Sequence, residues 1–300
     1  MSSVVPAPLA RVAAHLRCPV CTHPLAAADR TLRCARAHAF DLSRYGFVTL
    51  KSPRRRPTTG DDARMVAARA AVLDGGHFAP MTAALVAIAV EVAAQDAPLV
   101  LDVGAGTGHH LATVLDALPN ARGVAFDASK AALRQAARAH QRIAAIAGDV
   151  WHHLPLADAT ASVILNIFAP RNPQEFARVL RPGGTLVVAT PGTDHLRELA
   201  ALHPVRIDPR KHERLYGQLA SAFDLADVRH VGWELRLTRL EAADVIRMGP
   251  AAHHLSPADD ERLRTLPKTF AVTAAVDLHV FRRVREPRTK QPRRHRPRST

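Results

Sequence analysis

The sequence is poor in cysteine and in aromatic residues. Three cysteines occur in 300 residues, Cys18, Cys21 and Cys34, and aromatics make up 4%. No run of about 18 apolar residues is present; "MTAALVAIAVEVAA" is shorter and contains Glu91. The N-terminus lacks a basic start followed by an uninterrupted apolar core, so no secretory signal is read. A cytoplasmic protein without membrane association is expected, and in that compartment disulfides are not. A CxxC pair then reads as metal or redox chemistry. Lysine is scarce as well, supplying five of the 41 basic residues in a chain rich in alanine, arginine and proline. That bias suits a GC-rich genome and carries no mechanism. No Gly-Lys-Ser/Thr accompanies the glycines near position 104, which excludes an ordinary P-loop.

Positive charge is plentiful and uneven. The net charge is +14, with nine Lys/Arg against one Glu in 282–300 and four more cations in "KSPRRR" at 51–56. Such blocks suit contact with a polyanion, because each phosphate neutralised releases counterions. For the C-terminal tail, a solvated segment that aids solubility fits equally well.

The length allows a substantial core and one or two domains. Residues 15–50 form a small cysteine-bearing module whose core is too small to fold unaided, as expected where a metal supplies stability. "KSPRRRPTTG" reads as a linker. "DDARMVAARAAVL" and "HFAPMTAALVAIAVEVAA" read as helices parted by "DGG", the first opening with acids in its first turn. From 98 onward, strands at "PLVLDV", "RGVAF", "RIAAIA", "ASVILNIF" and "GTLVVAT" alternate with helices at "GHHLATVLDAL", "SKAALRQAARAH" and "PQEFARVL". The alternation predicts an α/β fold with a doubly wound, largely parallel sheet. "DVRHVGWELRL" and "KTFAVTAAVDLHVF" predict two later strands, and disorder is expected beyond 282. The expected organisation is a recognition module at 1–50, linker and interdomain helices at 51–96, the main domain at 97–282 and a basic tail at 283–300.

"LVLDVGAGTGHH" puts Asp102 at a strand end, followed by Gly104, Gly106, Thr107 and Gly108. A dinucleotide fingerprint needs its third glycine one position later, where His109 stands. D-x-G-x-G-x-G resembles motif I of class I S-adenosylmethionine methyltransferases. Its glycines admit the cofactor to the backbone, and the helix N-terminus offers N–H groups to a carboxylate. Asp127 ends the next strand, suited to accept hydrogen bonds from both ribose hydroxyls. Asp149 follows the third strand, where that class holds the adenine amine. "VLRPGGTLVVATP" matches the later turn and strand, with Gly183 and Gly184 permitting the turn. Four features in this order point to methyl transfer; a degenerate fold used only for binding is the alternative.

The cysteines form C-x2-C-x12-C-x3-H, with His38 completing a Cys3His set, a common structural zinc arrangement. His23 is a rival ligand, but its place just past Cys21 would demand a sharp reversal. A redox CxxC or incidental thiols are the other readings. Filled by four protein ligands, such a metal is structural. Arg17, Arg30, Arg33 and Arg36 surround the ligands and suit phosphates. Phe40, Tyr45 and Phe47 suit either base stacking or packing under the knuckle.

Together these pieces resemble one family, the RlmA-type 23S rRNA guanine-N1 methyltransferases, including the TlrB-like macrolide-resistance enzymes. The resemblance runs from about Cys18 to Phe281. It rests on "HAFDLSRYGFVTL", "TGDDARMVAARAAVLDGGHFAP", "NIFAPRNPQEFARVLRPGG", "ATPGTDHLREL" and "MGPAAHHL" besides the zinc and glycine motifs. It implies a class I methyltransferase domain preceded by a zinc ribbon, with structural zinc on Cys18, Cys21, Cys34 and His38. It also implies that Phe78 and His195 approach S-adenosylmethionine beside the glycine loop. The implied substrate is a guanine in the loop of hairpin 35 of 23S rRNA, near the macrolide site, and the implied assembly is a homodimer. Thr107 departs from the family, where an acid is frequent.

The expected reaction is attack of guanine N1 on the sulfonium methyl. The loop Asn166–Arg171 should present the base: Phe168 stacking, Arg171 contacting O6 or phosphate, Asn166 orienting the guanine edge. His109, His110, His152 and His153 are proton acceptors by residue type only, and no base is assigned. A small-molecule methyltransferase of the quinone type and a non-enzymatic zinc-dependent RNA binder are the rival classes. The zinc module argues against the first, the cofactor motifs against the second.

Overall fold

The cysteine-bearing segment and the α/β segment are folded onto one another. The computed structural model describes residues 5–51, 60–93, 97–200, 210–249, 261–262, 265 and 267–284. Most of "KSPRRRPTTG" and of "MGPAAHHL", and the tail from 285, lie outside these, as do the readings made for them. Helix α1 (Ala7–Val12) leads into a three-stranded antiparallel sheet, β1 (Leu25–Ala28), β2 (Thr31–Cys34) and β3 (Ala39–Asp41), and then into a short strand β4 (Val48–Thr49). Two helices follow, α2 (Ala63–Asp74) and α3 (Ala79–Val92), bent by 81° at the Gly75–Gly76 break. The first helix does not open with acids inside its first turn. Asp62 is its N-cap, accepting from Arg64 N and Met65 N at 2.8 and 2.9 Å, which satisfies free amides better than a within-turn carboxylate would.

The predicted alternation is present. It runs β5 (Leu99–Val103), α4 (His109–Ala117), β6 (Arg122–Asp127), α5 (Lys130–Ala139), β7 (Ile143–Ala147), β8 (Ala161–Ile167), α6 (Pro173–Val179) and β9 (Leu180–Pro191). Helix α7 (Lys211–Leu219), β10 (Phe223–Thr238), α8 (Arg239–Arg247) and β11 (Thr269–Arg283) complete the described elements. β9 begins four residues before "GTLVVAT", because Leu180 pairs with Ala161 before the register shifts to Val163–Thr185 across the glycine turn.

The large sheet has the order β10-β11-β9-β8-β5-β6-β7-β4, with β11 antiparallel to both neighbours. Strands β5, β7 and β8 are buried at every position, as a sheet covered on both faces requires. Alternate residues feed two apolar layers. Val100, Ala125 and Leu165 meet α3, α4 and α5, while Leu101, Phe126 and Ile164 meet α1, α6 and α7.

The eighth strand, β4, comes from the cysteine-bearing segment and pairs parallel to β7 through Val48–Ile146 and Thr49–Ala147. The same segment is stitched to the stretch that precedes β8. Arg17 N donates to Pro155 O at 2.9 Å and Ala157 N to His15 O at 2.8 Å. Leu9, Leu16, Leu25 and Leu32 share an apolar layer with Leu101 and Phe126, so the module's small core is extended by its neighbour. Among the described residues no single helix is long and apolar enough to cross a membrane.

Candidate cofactor site and metal centre

Two tight turns bring the cysteines together. Thr22 N donates to Cys18 O and Ala37 N to Cys34 O, and each turn places one residue, Thr22 and Ala37, at positive φ. The ligand atoms of Cys18, Cys21, Cys34 and His38 all lie within 4.8 Å of one another. His38 Nδ1 stands 3.6, 3.4 and 3.4 Å from the three sulfurs, and Cys21 Sγ 3.6 Å from Cys34 Sγ. The edges of a tetrahedron built on usual Zn–S and Zn–N bonds are about 3.6–3.8 Å, so the donor set fits zinc in size and chemistry. His23 is turned away, its Nδ1 bonded to Cys21 O at 2.9 Å. Of the two roles open to the aromatic residues here, packing is the one seen. Phe47 is buried, Phe40 packs against the apolar layer, and the ring of Tyr45 is covered by arginines.

At the C-terminal ends of β5, β6 and β7 the predicted cofactor residues lie side by side, where a doubly wound sheet binds ligands. Gly104, Gly106 and Gly108 have φ of +81°, +54° and +80°. A Cβ on Gly104 would stand 2.3 Å from that of Ala169, so glycine is required there twice over, by conformation and by space. Asp127 accepts from Gly106 N at 2.8 Å and from Ser129 N at 2.7 Å, pinning the glycine loop to the next strand. Each of its oxygens keeps a second lone pair for a ligand hydroxyl. Burial raises its pKa in spite of these bonds. Asp149, on the neighbouring strand end, accepts from Trp151 N and faces His152. Sequence reasoning missed Gly148 just before it, where a Cβ would stand 2.1 Å from the Phe126 ring.

Asp102 is 1% exposed and its Oδ1 has no hydrogen-bond partner. Burial, and then the Asp127 charge, push its carboxyl up to about 8. A buried orphan oxygen beside a glycine cradle fits a ligand that supplies a hydrogen-bond donor or positive charge. Thr107 is buried in the same loop.

The loop after β8 links this cradle to the remaining candidates. Ala169 lies against Gly104, and Phe168, 44% exposed and at φ +50°, stacks on His195 at 6.2 Å and 22°. His195 meets the buried Phe78 edge-on at 6.3 Å, and Phe78 meets Trp233 at 5.5 Å. The structure thus brings Phe78 and His195 together beside the loop. Burial, with the Lys211 charge second, holds the His195 imidazole down at about 4. Its Nδ1 accepts from Ala275 N at 3.2 Å.

Asn166 and Arg171 are tied to the loop itself. Asn166 Nδ2 donates to Val103 O and Pro170 O, and its Oδ1 accepts from Arg171 Nε, so the pair braces the loop. Among the four histidines named as acceptors, His110 is held neutral. Thr82 Oγ1 donates to Phe78 O and accepts from His110 Nδ1 at 2.9 Å, and burial lowers the imidazole to about 3. His152 and His153 face Asp149 and Glu175.

A further polar cluster escaped sequence reasoning. Asp277 on β11 takes His212 on one carboxylate oxygen (3.0 Å) and His230 on the other (2.5 Å). His279 is held between Tyr216 and Thr190, both at 3.2 Å. His212, Asp277 and His279 have metal-ligand types, yet both His279 nitrogens and both Asp277 oxygens are occupied within the protein.

Comparison with known proteins agrees with both halves of this arrangement. A family profile described as "RlmA, N-terminal" matches residues 16–51, and one described as "Methyltransferase domain" matches 100–184. The 23S rRNA (guanine(748)-N(1))-methyltransferase of Streptomyces fradiae is 47% identical over 276 residues, covering 90% of this chain and 98% of that protein. A Micromonospora griseorubida protein, provisionally named as a 23S rRNA (guanine-N1)-methyltransferase, is 47% identical over 289 residues, 89% of this chain and 97% of its own. Among solved structures, the YcgJ protein from Bacillus subtilis aligns with a TM-score of 0.46 at 15% identity, covering 67% of this chain and 97% of that one.

Proposed function

Because the chain belongs to the RlmA-type family of 23S rRNA (guanine-N1)-methyltransferases, we propose that it methylates N1 of a guanine in the hairpin 35 loop of 23S rRNA. The observation that carries the reading is the near full-length identity to a relative named for guanine 748. In the same reading the modification confers macrolide resistance of the tylosin type, and the enzyme works as a cytoplasmic homodimer.

When bound, S-adenosylmethionine supplies an electrophilic methyl group on its sulfonium. Asp127 would hold the ribose hydroxyls, Asp149 the adenine amine, and the glycine loop with Asp102 and Thr107 the amino-acid end, with Phe78 and His195 closing the side. The orphan Asp102 oxygen and the Cβ-free cradle at Gly104 support that fit. Zinc on Cys18, Cys21, Cys34 and His38 would keep all four positions filled by protein, which leaves it a structural role.

N1 of guanine is buried in Watson–Crick pairing, so the target must lie in a loop or be extruded. The exposed face of Phe168, backed by His195, offers a stacking surface at the strand ends. Holding the reacting atoms in line there accounts for much of the acceleration such a site provides. Neutral guanine must also shed its N1 proton. Burial holds the His110 imidazole down at about 3, which makes it a poor acceptor for that proton.

Labelled S-adenosylmethionine offered with a 23S rRNA transcript tests the reading. Label should enter the RNA, and reverse transcription should stop at one guanine of the hairpin 35 loop. Label in a small molecule, or in RNA with no stop in that loop, would contradict it.

A further inference from the structure

Three guanidinium groups converge on one ring. The Cζ atoms of Arg44, Arg134 and Arg138 lie 4.8, 4.6 and 5.8 Å from the centroid of Tyr45. Arg44 Nη2 also donates to the Tyr45 hydroxyl at 2.6 Å. Arg44 and Tyr45 belong to the turn before β4, and the other two arginines to α5, so two distant parts of the chain build the cluster. A Cβ on Gly46 would already touch that of Ala137 at 3.6 Å, which shows how closely turn and helix approach.

Several other arginines of this chain are treated differently. Arg69, Arg178, Arg197 and Arg229 are each paired with one or more carboxylates. No carboxylate pairs with Arg44, Arg134 or Arg138 among the described residues. Helix α5, KAALRQAARA, contains no acid at all. Lys130, Arg134 and Arg138 recur at every fourth position, about 6 Å apart along the axis, opposite the buried Ala132, Leu133 and Ala136. Like charges at this spacing work against a helix. Attraction to the ring face offsets part of that repulsion and fixes the guanidiniums in place. The arrangement remains short of negative charge, and a chain of phosphates supplies it, each with two non-bridging oxygens that the planar fork of a guanidinium can engage together.

The stripe also has a direction. Lys130 lies three residues after Asp127, at the cofactor edge of the sheet, and the helix leads from there to the Tyr45 cluster. Resting on the reading of the chain as an RNA methyltransferase, we propose that Lys130, Arg134, Arg138 and Arg44 form a docking surface for the RNA sugar–phosphate backbone. It lies on the outer edge of the sheet and holds the strand that flanks the target loop. Tyr45 serves it as a pad that orders the arginines, not as a base-stacking residue. Contacts of this kind add affinity without reading sequence.

The test measures binding of a hairpin 35 transcript as a function of salt for the wild type, R134A, R138A and R134A/R138A, with R236A on the far hairpin as control. Both substituted arginines are exposed, so folding should persist, and unchanged zinc content and S-adenosylmethionine affinity would verify it. Each single substitution should lower the slope of log K against log salt by about one, and the double by about two, with roughly tenfold weaker binding at moderate salt. In methyl transfer the double variant should raise KM for RNA and leave kcat unchanged. Slopes equal to wild type, or equal losses in R236A, would overturn the proposal. The two readings fail separately. A wild type that methylates RNA with unaltered variant slopes rejects only the surface. A wild type that binds RNA salt-dependently through these arginines but transfers no methyl rejects only the activity.

Discussion

Asp102 and Gly104 stand two residues apart and carry opposite kinds of constraint, one electrostatic and one steric. A carboxyl whose folded pKa is raised to about 8 contributes its stability below its unfolded value and loses it as pH rises toward 8. In ligand-free protein, Asp102→Asn should therefore raise the melting temperature more at pH 8 than at pH 5, while weakening S-adenosylmethionine binding. An identical difference at both pH values would show that Asp102 is not an uncompensated buried carboxylate. Gly104→Ala combines a positive φ with a clash against Ala169, and strain of this kind costs about 1–3 kcal/mol. Calorimetry should show lower stability and lost cofactor affinity. Adding Ala169→Gly should recover part of the stability by removing the clash, though not the backbone strain; no recovery would mean that the clash is not the cause. The glycine loop was legible because its chemistry is local. The brace formed by Asn166 and Arg171 was not legible for the converse reason: its partners appear only once the Val103 and Pro170 carbonyls are placed.

At the scale of elements, strands β5 to β8 could be read because each is an apolar run bounded by polar or turn residues. β4 could not. It is two residues long, and only its pairing with β7 makes it a strand. The partners of Asp277 were equally hidden, since His230 reaches it through an antiparallel register and His212 from a helix laid across the strand. The zinc segment reads in sequence as a module too small to fold unaided, and Cys18, Leu25 and Leu32 share an apolar layer with Leu101 and Phe126. Its metal should therefore matter to the sheet. Chelation, or Cys34→Ser, is expected to shift a single calorimetric unfolding transition to lower temperature and to abolish RNA methylation. A small separate transition lost on chelation, with the main one unmoved, would show instead that the segment folds alone.

For the molecule as a whole, three histidines act in the same direction. His110, His195 and His279 are held by burial at about 3, 4 and 4, against an unfolded value of 6.5. Each remains neutral in the folded state while the unfolded chain takes up a proton, so stability present above 6.5 is lost as pH falls toward 4. The slope is about 1.4 kcal/mol per pH unit for each histidine within that window. Denaturant unfolding between pH 7 and 4.5 should show this steepness, and His279→Gln should flatten it; a profile level down to pH 5 would contradict the buried neutral assignment.

The strand at Val48–Thr49 also bears on how such enzymes can be recombined. A recognition unit joined by a flexible tether can be exchanged as a cassette at its boundary. Here the boundary runs through hydrogen bonds of the catalytic sheet, and Leu50 N continues them to Ala147 O at 2.9 Å. A chimaera cut just after Asp41 would receive its donor's zinc turns but keep its own edge strand, whereas a cut after Leu50 must import a strand that fits β7. Transfer of target choice between relatives should therefore succeed only when the residues facing that strand, Ile146 and Ala147, travel with it or already match.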